Sequence, residues 1–401
     1  MKKLLRKLKH GVKNKIEKNK ISRSRKYEIK KFEDPRRVSI WSQIELNNEQ
    51  KKAIDDFYGE NYGEKIPHTW HRHFTAFTGN FDARYFPELL YIPEFEKFIS
   101  RHSEYAKVFS DKNMLPMLAS SAGVKTVRSY VTSTKGALRD ETYRFITREQ
   151  AIEKLKNIGD VFIKPTVDSN SGRGCFVANF QNGIDVLSGR TSYDILNGLG
   201  KDFAIQERLK CHDSITKIYD GCVNTFRVIT YRWRDQVLMF PIIMRIGSGG
   251  AYLDNAHAGG MFIALDNDGT MHKTAFTEFK QEFTEHPDSH LQYEGYRIEL
   301  LPRVIEAAKA LHETLPQAGC VNWDFTLDVD GDPVLIEANM VNGSIWLVEM
   351  AHGCGAFGEN TAEVLRWLRW VKKQPSSQWE RYEFGYFDET GSMPRGEDDK
   401  S

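Results

Sequence analysis

Apolar and polar positions alternate along this chain in two distinct rhythms. Helical spacing predicts helices around Glu49–Tyr58, Ile92–Ser100, Lys112–Gly123, Arg303–Leu315 and Thr361–Lys373, the last with Val364, Leu365, Leu368 and Val371 on one stripe. Runs rich in β-branched and aromatic residues predict strands in DVFIKP, GCFVANF and DFAIQERL, between Asp160 and Leu209. Further strands are expected in TFRVITYRW, QVLMFPIIMRIG and GGMFIALDNDGTMHKTAF. Residues 35–105 are aromatic and helical, with no βαβ rhythm. The pattern thus predicts an α+β protein in five parts: an extension over 1–34, a helical region over 35–105, strand-bearing lobes over 106–208 and 209–373, and a polar tail over 374–401.

One hairpin concentrates acidic groups. In NWDFTLDVDGDPVLIEANMVNG, Asn322 to Gly343, Asp330-Gly331 is a strong signal for a two-residue turn, because it supplies positive φ angles. That turn would set Asp324 opposite Glu337 and Pro333 opposite Asp328, with Asn339 on the face of Glu337. Three oxygen-bearing side chains on one face, with Phe325, Leu327 and Ile336 among their neighbours, can hold magnesium.

Composition narrows the class. Hydrophobic residues make up 40% of 401 and charged residues 28%, as in an ordinary globular protein. The longest apolar run, Val237–Met244, is too short to span a bilayer and contains Pro241. No apolar segment of a secretory signal follows the basic N-terminus. The five cysteines form no C-x-x-C pair, which predicts a reducing, cytoplasmic setting. Residues 1–31 carry fourteen Lys or Arg against Glu17 and Glu28, a balance of +12, so a whole-chain charge of +1 leaves −11 for the rest. Leu4, Leu5, Leu8, Val12 and Ile16 lie at near-helical spacing, which suits an amphipathic helix on an anionic membrane surface; a frayed, solvated extension is the plainer reading. Nucleic acid is disfavoured, since no aromatic residue precedes Tyr27.

A second feature is the loop KPTVDSNSGRGCFV. Lys164 ends a strand, and Ser169, Asn170, Ser171, Gly172 and Gly174 would let backbone N–H groups approach a phosphate. The same residues also suit a plain flexible hairpin. A dinucleotide fingerprint fails for want of a third glycine and a following helix, and no G-x-x-x-x-G-K-[ST] occurs. His68, His71 and His73 have no acidic or cysteine partner at motif spacing, so packing is favoured over metal binding.

Taken in order, SDKNMLPMLASSAGV, FIKP, the small-residue loop, AIQERL and WDF…LIEAN resemble the ATP-grasp enzymes across about residues 108–345. Asp324 and Glu337 have the thirteen-residue spacing of D-alanine:D-alanine ligase-like members. KIPHTWHRHFTAFTGNFDARYFPELLY ahead of SDKN is similar to the sugar-transfer-associated ATP-grasp family of surface-polysaccharide gene sets. The resemblance implies an ATP-grasp fold, two α+β lobes clasping ATP behind a helical N-terminal region. It implies Lys112 and Lys164 on the nucleotide phosphates, with Ser169, Ser171, Gly172 and Gly174 closing over them. Gln206, Glu207 and Leu209 would meet adenine, and His212 or Asp213 the ribose. Asp324, Glu337 and Asn339 would hold Mg2+, two ions in the usual pattern and Mn2+ as a substitute. Arg227 resembles the family's phosphate-contacting arginine. Arg245, Asn255, His257, Gly259 and Gly260 lie where phosphate and substrate meet, although Arg245 also suits surface pairing and His257 packing. Asn342 and Gly343 would face the acceptor or acyl phosphate. One departure stands out: Asn322 replaces the arginine that D-alanine ligases carry two residues before the hairpin aspartate. The implied activity is carboxylate–amine ligation through an acyl phosphate, with small-molecule or glycan-linked substrates. A sugar or polyol kinase and a nucleotide-binding scaffold are the other readings.

Overall fold

The computed structural model describes residues 2–100, 105–109, 111–167, 172–254, 259–341 and 343–387, with side chains from Gly11 onward. Two sheets carry the fold. The smaller is built from β2 (Ser129–Thr134), β3 (Ala137–Asp140), β4 (Gly159–Pro165), β5 (Phe176–Gln181), β6 (Ile184–Asp185) and β7 (Phe203–Glu207), ordered β3-β2-β7-β4-β5-β6. Strand β1 (Lys125–Thr126) leaves it to pair in parallel with the other sheet. That larger sheet contains β8 (Thr225–Trp233), β9 (Gln236–Met239), β10 (Ile242–Ile246), β11 (Met261–Leu265), β12 (Ala275–Phe276), β13 (Glu282–Phe283), β14 (Cys320–Leu327) and β15 (Pro333–Asn339). Its order is β1-β15-β14-β8-β10-β11-β12-β13, with β9 alongside β8.

Side-chain alternation on β8 explains how the larger sheet is covered. Phe226 and Val228 face the helix Leu301–Glu313, where they pack near Val304, Ala308 and Leu311. Ile229 and Tyr231 face the other way, into a core supplied largely by the N-terminal region. That region is helical: α1 (Lys2–Lys31), α2 (Pro35–Trp41), α3 (Asn48–Asn61) and α4 (Thr69–Thr78) lead into turns that carry Phe86, Phe95 and Phe98. A reciprocal cap between Asn47 and Gln50 starts α3. Phe95 meets Phe357 edge-on at 4.7 Å, and Phe240 meets the same ring at 4.7 Å, so the aromatic layer interlocks with the sheet. The helix Thr361–Lys373 closes this side with Val364, Leu365, Leu368 and Val371 buried, as its stripe predicts.

Four expectations need correction. The hairpin turn is not the two-residue Asp330-Gly331 form. The Gly331 N–H donates to Asp328 O at 2.9 Å and the Asp328 N–H to Asp332 O at 3.0 Å, giving a three-residue loop with Gly331 at φ +77°. Leu327, not Asp328, therefore faces Pro333; a bulge after Asp324 then restores the expected register, with Asp324 opposite Glu337 and Asn322 opposite Asn339. The chain after Gln374 is not loose as far as Phe387, because Trp379, Tyr382, Phe384 and Phe387 are buried apolar groups. Nor is the described part of the N-terminal extension frayed: Ile21 and Phe32 join the core, and Arg25 reaches Glu94 at 3.2 Å. The helix expected over Lys112–Gly123 is shorter, a 3-10 turn Lys112–Met114 followed by Leu115–Ser120.

His71 and His73 are wholly buried among rings, and His68 pairs with Asp55 at 2.9 Å. Burial holds the His73 imidazole down at about 3, against an ordinary value near 6.5. The unfolded chain therefore takes up the extra proton first. The stability associated with neutral His73 is complete above pH 6.5 and is lost as pH falls toward 3. His73→Phe should gain about 2 kcal/mol on the wild type between pH 7 and pH 5 in urea unfolding; parallel pH profiles would refute this.

Candidate active site

The two sheets enclose a cavity of about 1230 Å³. That is room for a nucleotide and a second small molecule. Its floor is the far half of the sheet face that carries the aromatic layer. Along β8 that face runs Tyr231 and Ile229 under the aromatic rings, then Arg227 and Thr225 in the cavity. Antiparallel β14 runs beside it and sets Asp324 against Arg227.

Asp324 is 1% exposed, and its carboxylate is ringed by cations. Arg227 Nε and Nη2 donate to its two oxygens at 2.6 and 3.1 Å, and Arg245 Nη2 lies 3.0 Å from Oδ2. Burial alone would push this carboxyl up, but the two guanidiniums hold it below its ordinary value. Arg245 also meets Asp254 at 3.5 Å and donates to Thr225 Oγ1, whose hydroxyl in turn donates to Asp254. Arg245 is thus no surface pairing residue. Burial opposes its charge, yet Asp254 and Asp324 raise its pKa.

Opposite Asp324, Glu337 and Asn339 line the cavity from β15. Lys112 Nζ is 3.2 Å from Glu337 Oε1. The backbone N–H of Lys112 donates to Thr166 O at 3.0 Å, which ties the segment carrying it to the end of β4. Lys164 also sits at the end of β4, 9% exposed. Burial, then the charge of Lys112, brings its ammonium down to about 8, with Glu337 opposing. Both expected lysines and all three expected oxygen donors therefore share one cavity. Hard oxygen donors on one face fit magnesium chemically, with Asp324 already engaged by arginines.

The described end of the loop after β4, Gly172–Cys175, lies against the larger lobe. Gly172 adopts φ +72°, a conformation that favours glycine, and a Cβ there would lie 2.2 Å from Leu253 Cδ1 and force that side chain to shift. Tyr252 adds a hydrogen bond from its hydroxyl to Cys175 O at 3.2 Å. Gly174 sits at φ +78°, close to Pro165. Ser169, Ser171, Asn255, His257 and Asn342 lie outside the described residues.

The nucleotide-base expectations divide. Gln206, Glu207 and Leu209 line the cavity where β7 ends. The Gln206 amide donates to Ser129 Oγ at 2.9 Å, and the Glu207 carboxylate accepts the Arg128 N–H at 2.9 Å, so both side chains are engaged. His212 is not among the lining residues; its Nδ1 accepts the Ser214 N–H at 3.2 Å and caps a short turn, whereas neighbouring Asp213 does line the cavity. Sequence reading passed over Asp254, which carried a signal as an acid just ahead of a glycine-rich run. It also passed over Glu88 and Glu96, hidden in an aromatic zone without a chemical pattern. The Glu88 carboxylate accepts from Ser344 Oγ at 2.6 Å and from the Ile345 and Trp346 N–H groups at 3.1 and 3.0 Å. Glu96 accepts the Gly343 N–H at 2.7 Å.

The family described as sugar-transfer associated ATP-grasp matches residues 93–364. No curated protein matches the chain. Among solved structures the chain is similar to VanG D-Ala:D-Ser ligase from Enterococcus faecalis, at 14% identity and a TM-score of 0.38, over 66% of this chain and 62% of that one. It is similar to an ADP complex of PurK, N5-carboxyaminoimidazole ribonucleotide synthetase, at 14% identity and a TM-score of 0.35, over 59% and 46%. An L-amino acid ligase from Bacillus licheniformis aligns at 12% identity and a TM-score of 0.36, over 65% and 48%. The chain thus spans between about half and three fifths of these proteins.

Two outcomes follow from the charges. Asp324→Ala takes from Arg227 its carboxylate partner and leaves Arg245 with Asp254 alone, and should cost about 3–5 kcal/mol, whereas Glu337→Ala, at a partly exposed pair with Lys112, should cost about 1 kcal/mol. Equal urea midpoints for the two variants would contradict the floor described here. An anion placed beside Lys164 should raise its pKa, so ATP binding near pH 8 should take up protons. Calorimetry in buffers of different ionisation heat would show the uptake, and Lys164→Met should remove it.

Proposed function

The chain belongs to the sugar-transfer associated ATP-grasp family, and from that premise we propose that it is an ATP-dependent ligase joining a carboxylate to an amine through an acyl phosphate, in the building or modification of surface polysaccharide. The observation that carries this reading is the meeting of Lys112, Lys164, Asp324, Glu337 and Asn339 in one cavity between two sheets. Lys164 would place its charge on the phosphates, with Lys112 beside it. Asp324, Glu337 and Asn339 would hold magnesium, which when bound neutralises charge on the phosphates. Arg227 and Arg245 keep the Asp324 carboxylate in place and surround it with N–H groups. The segment Gly172–Cys175, seated against Leu253 and Tyr252, limits water at the phosphate end, as a hydrolysable acyl phosphate requires.

Helix α1 supports a location at the cytoplasmic face of an anionic membrane, near glycan-linked substrates. Its two acidic residues are turned to the body: Glu17 pairs with Lys97 at 2.8 Å, and Glu28 is 2% exposed. Lysines and the exposed Val12 and Ile16 remain outside. No described helix is long and apolar enough to cross a membrane.

ADP and phosphate release should be followed with pools of uronic acids, amino sugars and amino acids, with hydroxylamine as a trap. Hydroxamate formation with one acid is expected, and Glu337→Ala should abolish it while remaining folded. ADP with a phosphorylated sugar and no hydroxamate would move the reading to a kinase; nucleotide binding without turnover would move it to a scaffold. For the membrane, Lys13→Glu, Lys15→Glu and Lys18→Glu together should weaken binding to phosphatidylserine vesicles by about 3 kcal/mol or more. Charge reversal is preferred to deletion, because Ile21, Arg25 and Glu28 are packed. Unchanged vesicle binding would remove the membrane from the proposal.

A further inference from the structure

The segment that follows the β14–β15 hairpin forms one wall of the cavity, through Gly343, Ser344, Trp346 and Leu347. Gly343 passes directly over Asn322: a Cβ on Gly343 would lie 2.1 Å from Asn322 Nδ2. Its N–H goes to Glu96, and the next three residues direct their donors to a single oxygen of Glu88. Both carboxylates come from the helical region ahead of the lobes. Arg37, from α2 of the same region, lays its guanidinium 4.0 Å from the centre of the Trp346 ring and pairs with Glu278 at 2.7 Å.

Glu88 is an expensive choice for structure alone. It is 2% exposed, and its second oxygen is buried with no hydrogen-bond partner. A buried acid with one oxygen saturated and the other orphaned is a poor fastener but a rigid one. Three donors converging on Oε1 fix the direction of Ser344 and the entry into the Trp346–His352 helix. Ser344 donates its hydroxyl proton to Glu88 and its Oγ accepts the Trp346 N–H at 3.4 Å, so the start of this helix is tied back to the same serine.

We propose that Glu88 and Glu96 are positioning residues for the second substrate, holding residues 343–346 as the wall against which it is placed, so that the N-terminal helical region sets acceptor choice. The inference rests on the reading above only in that a second substrate enters the cavity beside this wall. It applies to an amine or a hydroxyl acceptor alike.

The test compares full-length wild type with Glu88→Ala, Glu88→Gln and Glu96→Ala, using the acceptor that the substrate pools return. Glu88→Ala and Glu96→Ala should raise the KM for the acceptor about tenfold or more, with the KM for ATP and the Kd for ADP within about twofold. Glu88→Gln retains an acceptor oxygen and should restore the wild-type KM. An unchanged acceptor KM, or equal losses toward ATP and acceptor, would overturn the proposal. Amide hydrogen exchange provides a second arm that needs no turnover. The Ile345 and Trp346 amides should lose protection in Glu88→Ala, and Gly343 in Glu96→Ala, with Glu88→Gln protected. Equal protection in all four proteins would overturn the clamp, including where Glu88→Ala folds poorly, because Glu96→Ala is read independently. Should no acid, amine or polyol support turnover by the wild type, the ligase reading fails and exchange alone still decides the clamp.

Discussion

A carboxylate shut away from water between two guanidiniums organises this protein. Asp324 lies in the middle of the larger sheet, where an unpaired charge would be costly, so Arg227 on β8 and Arg245 on β10 must both reach it. That requirement holds β14, β8 and β10 in adjacent order and in register at one end of the sheet. Arg245 extends the same network to Asp254 and Thr225. The cavity floor is therefore a set of mutually neutralising charges, already in position before any ligand arrives.

The rest of the same sheet face has the opposite character. Beyond Arg227 the strand continues with Ile229 and Tyr231, covered by Phe95, Phe240 and Phe357. The boundary between wet and dry falls near Asn322, 1% exposed, whose amide oxygen has no partner. An arginine at that position would have to place a longer charged group under Gly343, whose own backbone already sits so close that an added Cβ there would lie 2.1 Å from the Asn322 amide. The helical N-terminal region does two jobs from this boundary. It dries half of the face with aromatic rings, and its carboxylates grip the wall of the other half.

The smaller lobe depends on different physics. Its core is largely aliphatic and self-contained, with Val131, Val161, Ile163 and Ile205 against Leu155 and Ile195 and two phenylalanines, Phe180 and Phe203, among them. It meets the larger lobe across the cavity through a loop whose glycine leaves space for Leu253. Lys164 is buried at this junction, where its charge is weakly supported until an anion comes close.

Much of this was legible in the residues alone. Helix Thr361–Lys373 and strand Thr225–Trp233 have the bounds their apolar periods predict, because such periods are local and strongly repeated. The opposition of Asp324 and Glu337 was also legible, though by two compensating steps: the turn is one residue longer than Asp-Gly implies, and a bulge after Asp324 returns the register. Local turn chemistry could not show the bulge, since it follows from how β14 is held between two neighbours. The grouping of Lys112 and Lys164 with the hairpin followed from the resemblance of their ordered motifs to those of the ATP-grasp enzymes. What tertiary structure alone decided is who pairs with whom across long separations: Arg37 with Glu278, Glu88 with Ser344, Trp379 with the core, and both arginines with one aspartate. Sequence by itself determined the elements and the inventory of charges, because backbone period and turn propensity act over a few residues. Only the fold decided which charges are buried together, because the dielectric around a side chain is set by residues far away along the chain.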